Sequence, residues 1–332
     1  MLFKDDKTAR LDAQTIRQSV GWYRWTHDLV EVTGADALDV LQKIYVSDLS
    51  KVPAGKTKYT AMLNEDGEII DDVIVMHMEE GKYWISTLYG PRLEPWVQAH
   101  TEGEDIAFRL ITYDWDMFAI QGPDSPAAMA QLTDKPVADM KRFAVAPNTI
   151  GGIPVYIHRS GFTGEDGFEV YCAPADTPAV TTAIDKAVTA AGGREIYTLE
   201  VYVRSIPMEK GFALKQDFKG LNPFECGLGW SVDLEKDFIG KEATLAIKES
   251  PRFRMAGLVF DRESTEDISI WERVYLYGVE AGRCAQAIYG YTVDQNIGFA
   301  TLRADIPDGV RVTVGPNGSP ATVCKKVFCE GG

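Results

Sequence analysis

The first 120 residues alternate between short apolar strands and amphipathic helices. DLVEVTG is rich in β-branched residues and predicts a strand, and ADALDVLQKIYV follows it with apolar residues at helical spacing. Two further strands, at 57–64 and 69–77, are joined by a polar turn at Asn64–Gly67. The other elements predicted here are a strand at KYWISTL, a helix at 91–101 opened by Pro91, and a strand at DMFAIQGP that stops at Gly122 and Pro123.

The same alternation recurs in looser form after residue 123. It predicts a helix at 124–132, strands at 153–158 and 167–172, and a helix at 177–191. Mixed strands and helices in this order indicate an α+β fold of two similar halves.

The sequence pattern changes near residue 253, where short runs of alternating apolar and polar residues are separated by Gly, Pro, Asn and Asp. This pattern predicts a small antiparallel barrel or sandwich. We therefore expect an α+β part over 1–122, a second over 123–250 and a β-barrel over 251–332.

Charge and composition exclude several classes of function. The 332 residues carry a formal net charge of −15, which makes nucleic acid an unfavourable partner. No apolar run approaches the roughly 20 residues that cross a bilayer, and the start lacks the apolar core of a secretory signal, so we expect a cytoplasmic protein without membrane contact. The five cysteines favour reduced thiols, and no metal site is expected.

Two adjacent acids, Asp71 and Asp72, lie inside the second β-branched run beyond the polar turn. An ionised carboxylate removed from water is costly unless it is hydrogen-bonded or faces a cation. The pair therefore either caps a turn or pairs with a neighbouring Lys or Arg, or it faces a ligand.

Two later segments combine acids with glycines. Residues 159–172 carry Glu165 and Asp166 among three glycines, which fits a tight hairpin or a ligand contact better than a phosphate loop. Residues 204–243 carry Glu209 in an apolar setting, where it is either a salt-bridge partner or an acceptor for the amidine-like edge of a pterin or guanine ring.

An aromatic run with one cation, Trp22–Trp25, precedes His27. Such a cluster can line the mouth of a substrate site or anchor a core. His77 and His158 lie within predicted strands and are interpreted as core or face residues.

Five segments, NEDGEIIDD, SGFTGEDGFEV, MEKGF, PFECGLGWSV and DFIGKEA, resemble motifs of the folate-binding aminomethyltransferase family in order and approximate spacing. That family includes the glycine cleavage T protein, the folate halves of sarcosine and dimethylglycine dehydrogenases, and tetrahydrofolate-dependent demethylases. The similarity runs nearly end to end. It implies a ring-like three-domain architecture, with two related α+β modules and a small C-terminal β-barrel around a tetrahydrofolate funnel.

The resemblance also implies roles for individual residues. The second acid of the motif, Asp72, lies close to the reactive folate nitrogens, and the aromatic residue thirteen positions earlier, Tyr59, lines the folate site. Glu209 matches the acid that binds the pterin. Trp230 is expected to contact the cofactor, and Lys236 is the nearest match to a basic residue that contacts its glutamate tail.

Two departures from the family pattern influence the expected donor. Arg24 stands where an acid is usual, and Pro207 stands where an Arg precedes the pterin acid. On these grounds a lipoyl carrier protein is not expected as a partner, and a small donor enclosed by Trp22, Tyr23, Arg24 and Trp25 is favoured. PFECGLGW is also more similar to the demethylase and dehydrogenase branches.

The sequence therefore predicts a tetrahydrofolate-dependent demethylase that moves a methyl group from a small O-, S- or N-methylated donor to tetrahydrofolate. Asp72 would position or deprotonate the folate nitrogen, and Tyr23 or His27 would serve as an acid for the leaving group. A sulfonium donor would suit aromatic walls, whereas Arg24 would favour a carboxylate. The alternatives are an aminomethyltransferase that forms methylenetetrahydrofolate and a folate-binding protein without turnover.

Overall fold

The computed structural model describes residues 4–88, 90–261 and 268–329. Within these ranges, seventeen strands form two open sheets and one closed barrel. The strands are β1 (Gly21–Trp25), β2 (Asp28–Thr33), β3 (Lys56–Leu63), β4 (Ile69–Glu79), β5 (Lys82–Thr87), β6 (Ala107–Leu110), β7 (Asp116–Gln121), β8 (Val145–Ile150), β9 (Ile153–His158), β10 (Gly167–Cys172), β11 (Arg194–Glu195), β12 (Phe253–Phe260), β13 (Glu272–Leu276), β14 (Val279–Gly290), β15 (Gln295–Arg303), β16 (Arg311–Val314) and β17 (Ser319–Cys324).

The helices are mostly short. They are α1 (Lys7–Gln18), α2 (Ala37–Ile44), α3 (Gly90–Gln98), α4 (Ser125–Leu132), α5 (Thr177–Ala190), α6 (Ile206–Glu209), α7 (Pro223–Cys226) and α8 (Lys241–Glu249), and a π-helical segment, Val201–Ser205, leads into α6. In the described part of the chain, no helix is long and apolar enough to span a bilayer.

The first sheet has the strand order β3-β4-β5-β2-β6 and is antiparallel throughout. Successive strand side chains point to opposite faces, so Val73 and Val75 of β4 pack under α2 and α3, whereas Asp72 and Ile74 point to the other face. This second face is called the inner face of the sheet.

The second sheet has the order β11-β1-β7-β10-β9-β8, and α4 and α5 cover its outer face. β1 and β7 both precede residue 122, the boundary expected from the sequence. They nevertheless pair with each other, and each also pairs with a later strand, β1 with β11 and β7 with β10. Sheet membership therefore does not follow the expected division at residue 122, because the chain crosses between the sheets after Trp25 and again before Asp116.

The inner faces of the two sheets pack against each other. One apolar cluster joins Met76 and Trp84 of the first sheet to Met117 and Tyr171 of the second. Beyond them, β12 to β17 close into a barrel of six antiparallel strands with its own core, and its first strand begins at Phe253. The predicted α+β class with a C-terminal antiparallel barrel is confirmed.

Arg17, in the last turn of α1, connects segments that are far apart in the sequence. Its Nη1 donates to the carbonyl of Thr163 at 2.9 Å and to the carboxylate of Glu165 at 2.6 Å. Its Nη2 donates to the carbonyl of Ile206 at 3.0 Å and to the carboxylate of Glu209 at 3.1 Å. One guanidinium thus joins α1, the 159–172 segment and α6.

Glu209 is completely buried, and protein groups hold both of its oxygens. Oε2 accepts from Arg17, and Oε1 accepts the backbone N–H of Thr292 in the barrel at 2.7 Å. Its backbone carbonyl accepts two N–H groups from residues 328–329. Although Pro207 replaces the family's local Arg, the carboxylate is supported, because Arg17 supplies the guanidinium from α1.

We expect Arg17→Ala to lower the free energy of unfolding by about 3–5 kcal/mol, because it leaves the buried Glu209 carboxylate without a cation. Urea unfolding measures the change. The matched control is Arg311→Ala, whose ion pair with Asp261 is about half exposed and is expected to contribute less than about 1 kcal/mol. Equal losses in the two variants would contradict this account of Arg17.

Candidate active site

The adjacent acids Asp71 and Asp72 have different environments because they point to opposite faces of β4. Asp71 is 3% exposed on the helix-covered face, where it accepts the Thr87 hydroxyl at 2.5 Å and the Asp72 N–H at 3.1 Å. Asp72 lies on the inner face and keeps some accessible surface. Local hydrogen bonds thus explain Asp71, whereas Asp72 lies on the inner face of the first sheet, next to Tyr59.

Asp72, Tyr59 and Trp230 form a continuous line of contacts. The Tyr59 hydroxyl donates to Asp72 Oδ2 at 3.0 Å, and the Tyr59 ring stacks on Trp230 with centroids 5.8 Å apart. Trp230 is 64% exposed, so the line runs from the inner face to the surface. Three residues expected at the folate site are therefore brought together.

Asp72 titrates near neutral pH. Burial and then the charge of Asp71 raise its pKa to about 7, against the opposing hydrogen bond from Tyr59. Burial also raises the pKa of Asp71 to about 6, although the Thr87 hydroxyl opposes this rise. A carboxyl group with such a pKa can both accept and release a proton under ordinary conditions.

The aromatic run of β1 divides between two faces. Tyr23 and Trp25 lie on the inner face, with ring centroids 6.0 Å apart in an edge-on arrangement. Trp22 lies in the outer core, where its Nε1 donates to Asp185 of α5 at 3.2 Å. The expectation that Trp22 lines the donor site is therefore wrong, because consecutive strand residues cannot share one face.

Arg24 also points away from the inner face. It forms an ion pair with Asp116 at 2.6 Å, and its side chain is half exposed. Asp116 also accepts the hydroxyl of Thr177 at the start of α5. Arg24 thus lies on the outer face of the second sheet and does not reach a donor between the sheets. The expectation that Arg24 contacts the donor is therefore wrong.

Tyr23 is a buried inner-face phenol. Its ring packs edge-on against Tyr202 of the π-helical segment, with centroids 4.0 Å apart. The two hydroxyls are near each other but do not meet hydrogen-bond geometry, so the Tyr23 hydroxyl has no partner among the described residues. Burial raises the pKa of Tyr23 well above its usual value, which keeps the phenol protonated.

His27 lies where the chain passes from one sheet to the other. Its Nδ1 donates to the carbonyl of Asp28 at 3.0 Å, and its Nε2 lies 3.1 Å from the sulfur of Met117. The Ser86 hydroxyl is 3.3 Å from Nδ1. Since Asp72 and Ser86 are both on the inner face of the first sheet, His27 borders the same space without contacting Asp72.

Two residues expected to contact folate, Glu209 and Lys236, bind other groups of the protein instead. Glu209 has no exposed surface and its oxygens are occupied, so it offers no acceptor to a pterin edge. Lys236 donates to the carbonyls of Gln42 and Tyr45 at the end of α2, and burial lowers the pKa of Lys236 to about 8. An ammonium there stabilises the last carbonyls of a helix rather than a ligand carboxylate.

A basic cleft lies beside Trp230. It has a volume of about 590 Å³ and is lined by five cationic and two acidic side chains. Lys51 pairs with both acids, Asp48 and Asp233, and Lys58 lies over the Trp230 ring at 5.8 Å. This cleft was not expected from the sequence; its local signal is the cationic alternation KTK at the start of β3 together with KR at 141–142. The other four cations of the cleft, Lys56, Lys58, Lys141 and Arg142, are suited to bind a ligand that carries several carboxylates.

Two family models match the chain in succession. The GCVT N-terminal domain matches residues 4–236, and the glycine cleavage T-protein C-terminal barrel domain matches residues 254–330. Among described residues, no group of three His, Cys, Asp or Glu side chains is arranged to hold a metal ion.

Individual relatives agree with these matches. An aminomethyltransferase of Halalkalibacterium halodurans is 30% identical over 88% of this chain and 81% of its own length, and one of Thermotoga petrophila is 27% identical over 96% and 89%. The crystal structure of the glycine cleavage system aminomethyltransferase T from Bartonella henselae is 21% identical and matches the fold with a TM-score of 0.84 over 97% of this chain and 90% of that one. The chain belongs to the glycine cleavage T-protein family.

Proposed function

We propose that this protein is a tetrahydrofolate-dependent aminomethyltransferase that forms methylenetetrahydrofolate. The observation that carries the proposal is the inner-face Asp72, held by Tyr59 and with a pKa near 7, in a chain of the T-protein family. The family and the relatives named aminomethyltransferase favour this alternative over the methyl transfer predicted from the sequence.

Tetrahydrofolate is the cosubstrate of this family, and the residues present fit it. The Oδ1 oxygen of Asp72 makes no hydrogen bond among the described residues and can accept one from a folate amine. The Tyr59 and Trp230 rings offer a stacking surface, and the basic cleft offers cations to the glutamate tail. The cleft takes the role that the sequence assigned to Lys236.

When bound, tetrahydrofolate supplies two amine nitrogens to the transferred carbon. An aminomethyl donor X–CH2–NH2 then yields methylenetetrahydrofolate, X–H and ammonia, and the two hydrogens lost by the folate nitrogens end on X and on ammonia. Asp72 accepts a proton from the folate amine and returns it to a leaving group, a role suited to a pKa near the working pH. Tyr23, a protonated phenol on the inner face, and His27 remain proposals for the second proton donor.

The arguments against a lipoyl carrier protein are weakened by the structure. Arg24 lies on the outer face of the second sheet, and Arg17 supplies the cation missing at Pro207. Neither departure alters the inner faces, so a lipoyl-bound aminomethyl group belongs among the donors to be tested.

We expect tetrahydrofolate and an aminomethyl donor to give methylenetetrahydrofolate, detected by mass spectrometry. Asp72→Asn should lower kcat/KM at least about 100-fold, because the proton acceptor is lost. The matched control, Asp71→Asn, removes the neighbouring charge on the outer face. This variant should still form methylenetetrahydrofolate. The pH at which its rate rises should be lower than in the wild type, because Asp72 ionises more easily without the charge of Asp71.

Other products would change the conclusion. Methyltetrahydrofolate formed from O-, S- or N-methylated donors would overturn aminomethyl transfer in favour of methyl transfer. Tight folate binding without product from either set of donors would indicate a binding protein.

A separate prediction concerns stability without ligand. The pKa of Asp72 is about 7 in the folded protein, whereas that of an unfolded Asp is about 3.9, so the folded state binds its proton more tightly. Its contribution to stability is full below about pH 4 and is lost as the pH rises through 7. The substitution Asp72→Asn should therefore change the free energy of unfolding more favourably at pH 8 than at pH 4. The difference between the two changes should be about 2–4 kcal/mol. Urea unfolding at both values tests this, and an unchanged difference would refute a raised pKa.

A further inference from the structure

The end of the first sheet that carries Asp71 and Asp72 lies near the surface. β4 begins there, β5 ends there, and the Thr87 hydroxyl of β5 donates to Asp71. Asp28, the first residue of β2, pairs with Thr87 in the register of the sheet, and Leu88 is 43% exposed. This end of the sheet is called the rim. Asp72, which keeps some accessible surface, thus borders a part of the molecule that a ligand can reach.

One cation at the rim belongs to α3. The backbone N–H of Gly90, the first residue of α3, donates to Asp28 Oδ2 at 2.8 Å, which fixes the start of the helix to the rim. Arg92 follows in the first turn and is exposed. A cation in the first turn of a helix opposes the helix dipole, so helix stability does not explain this position.

A second cation at the rim is Lys215, which begins the short 3-10 segment Lys215–Phe218 beside β4. Asp217 anchors this segment, because its completely buried carboxylate pairs with Arg204 and accepts the N–H of Leu214 at 2.8 Å. The backbone is therefore held on both sides of Lys215, whose side chain is half-buried. The position of the ammonium group at the rim follows from this anchor.

The charges at the rim act on one another. Burial is the largest influence on the pKa of Lys215 and lowers it. The charge of Asp71 opposes this fall, the like charge of Arg92 adds to it, and the charge of Asp72 opposes it. Lys215 thus lies within range of both acids and of a second cation.

Neutral groups supply the hydrogen bonds of the two acids. Asp71 accepts from the Thr87 hydroxyl and from a backbone N–H, and Asp72 accepts from the Tyr59 hydroxyl. In the part of the chain that the structure describes, neither carboxyl group takes a hydrogen bond from a Lys or Arg side chain. The acids therefore do not hold the ammonium of Lys215 in one fixed geometry, and it can turn towards a ligand.

We propose that Lys215 and Arg92 bind a carboxylate of the donor. This assignment rests on the proposed function, because it names a feature of the aminomethyl donor. A guanidinium can bind both oxygens of a carboxylate, and an ammonium adds a point charge beside it. Two like charges near each other raise each other's free energy, and an anion that contacts both lowers it.

The charges of the rim also orient such a donor. A carboxylate next to the transferred carbon would face Asp71 and Asp72, whereas one at the far end of the donor reaches Lys215 and Arg92. Neither of these two cations lines the basic cleft proposed for the folate tail, so the two anion sites are separate. Donors with a remote carboxylate are therefore favoured over a lipoyl amide, which carries none. The carboxylate preference expected from Arg24 is thus assigned to other residues.

The test compares two probes of equal size, sodium propionate and propionamide, on the full chain. Both are titrated at pH 8 and constant ionic strength with tetrahydrofolate present, and binding is followed by saturation-transfer NMR. We expect the wild type to bind propionate at least about tenfold more tightly than propionamide, because only propionate pairs with the two cations. Asp72→Asn should tighten propionate binding at least about threefold, because a neighbouring negative charge is removed.

Lys215→Gln and Arg92→Gln should each weaken propionate binding at least about fivefold and leave propionamide unchanged. Lys219→Gln is the matched control, because Lys219 lies four residues further along, is exposed, and has its ammonium over the Trp271 ring at 5.6 Å. It should leave both probes unchanged. For turnover, Lys215→Gln should raise KM for an aminomethyl donor with a carboxylate more than it lowers kcat.

Equal binding of propionate and propionamide by the wild type would overturn the proposal, and this arm requires no variant to fold. Propionate binding that is unchanged in Lys215→Gln, or weakened as much by Lys219→Gln, would place the anion elsewhere and also overturn it. Lys215-dependent propionate binding without methylene product would uphold this site while refuting aminomethyl transfer. Methylene product from donors whose KM is the same with and without a carboxylate would do the reverse.

Discussion

The arrangement of the molecule depends on one buried guanidinium. Arg17 binds Glu165 in one functional segment and Glu209 in another, and Glu209 in turn accepts an N–H of the barrel. A completely buried carboxylate cannot tolerate the loss of its cation, so α1, the 159–172 segment, α6 and the barrel are held in a fixed relation. That relation places β10, which carries Glu169, and the π-helical segment, which carries Tyr202, beside the inner face of the first sheet.

Sequence patterns identified the strands but could not assign their faces. Both sheets are covered by helices on one side and by the opposite sheet on the other, so apolar residues occupy both faces and hide the alternation. For this reason Trp22 to Trp25 read as one aromatic cluster, although alternate members point to different cores. Asp71 and Asp72 read as a pair for the same reason, although a neutral hydroxyl satisfies one and the other faces the inner space.

The remaining errors concern partners distant in the sequence. Glu209 is 192 residues from Arg17, and Lys236 is 194 residues from the carbonyl of Gln42. Nothing near Glu209 or Lys236 in the chain shows that such partners already occupy them. The helix that carries Arg17 is detectable from the sequence, because Asp6 caps it and Ala9, Ala13 and Ile16 recur at helical spacing, but its distant partners are not.

The surroundings of the two inner-face carboxyl groups, Asp72 and Glu169, shift their pKa values in opposite directions. Asp72 has a like charge at Asp71 and a hydroxyl at Tyr59, so burial prevails and its pKa rises. Burial acts to raise the pKa of Glu169, but the hydrogen bond from His158, the nearby His158 and His27 rings and the Tyr171 hydroxyl together lower it. Two chemically similar groups thus acquire different proton affinities from their surroundings. The carboxyl group of Asp72, with a pKa near 7, is the one suited to accept and release a proton at the working pH.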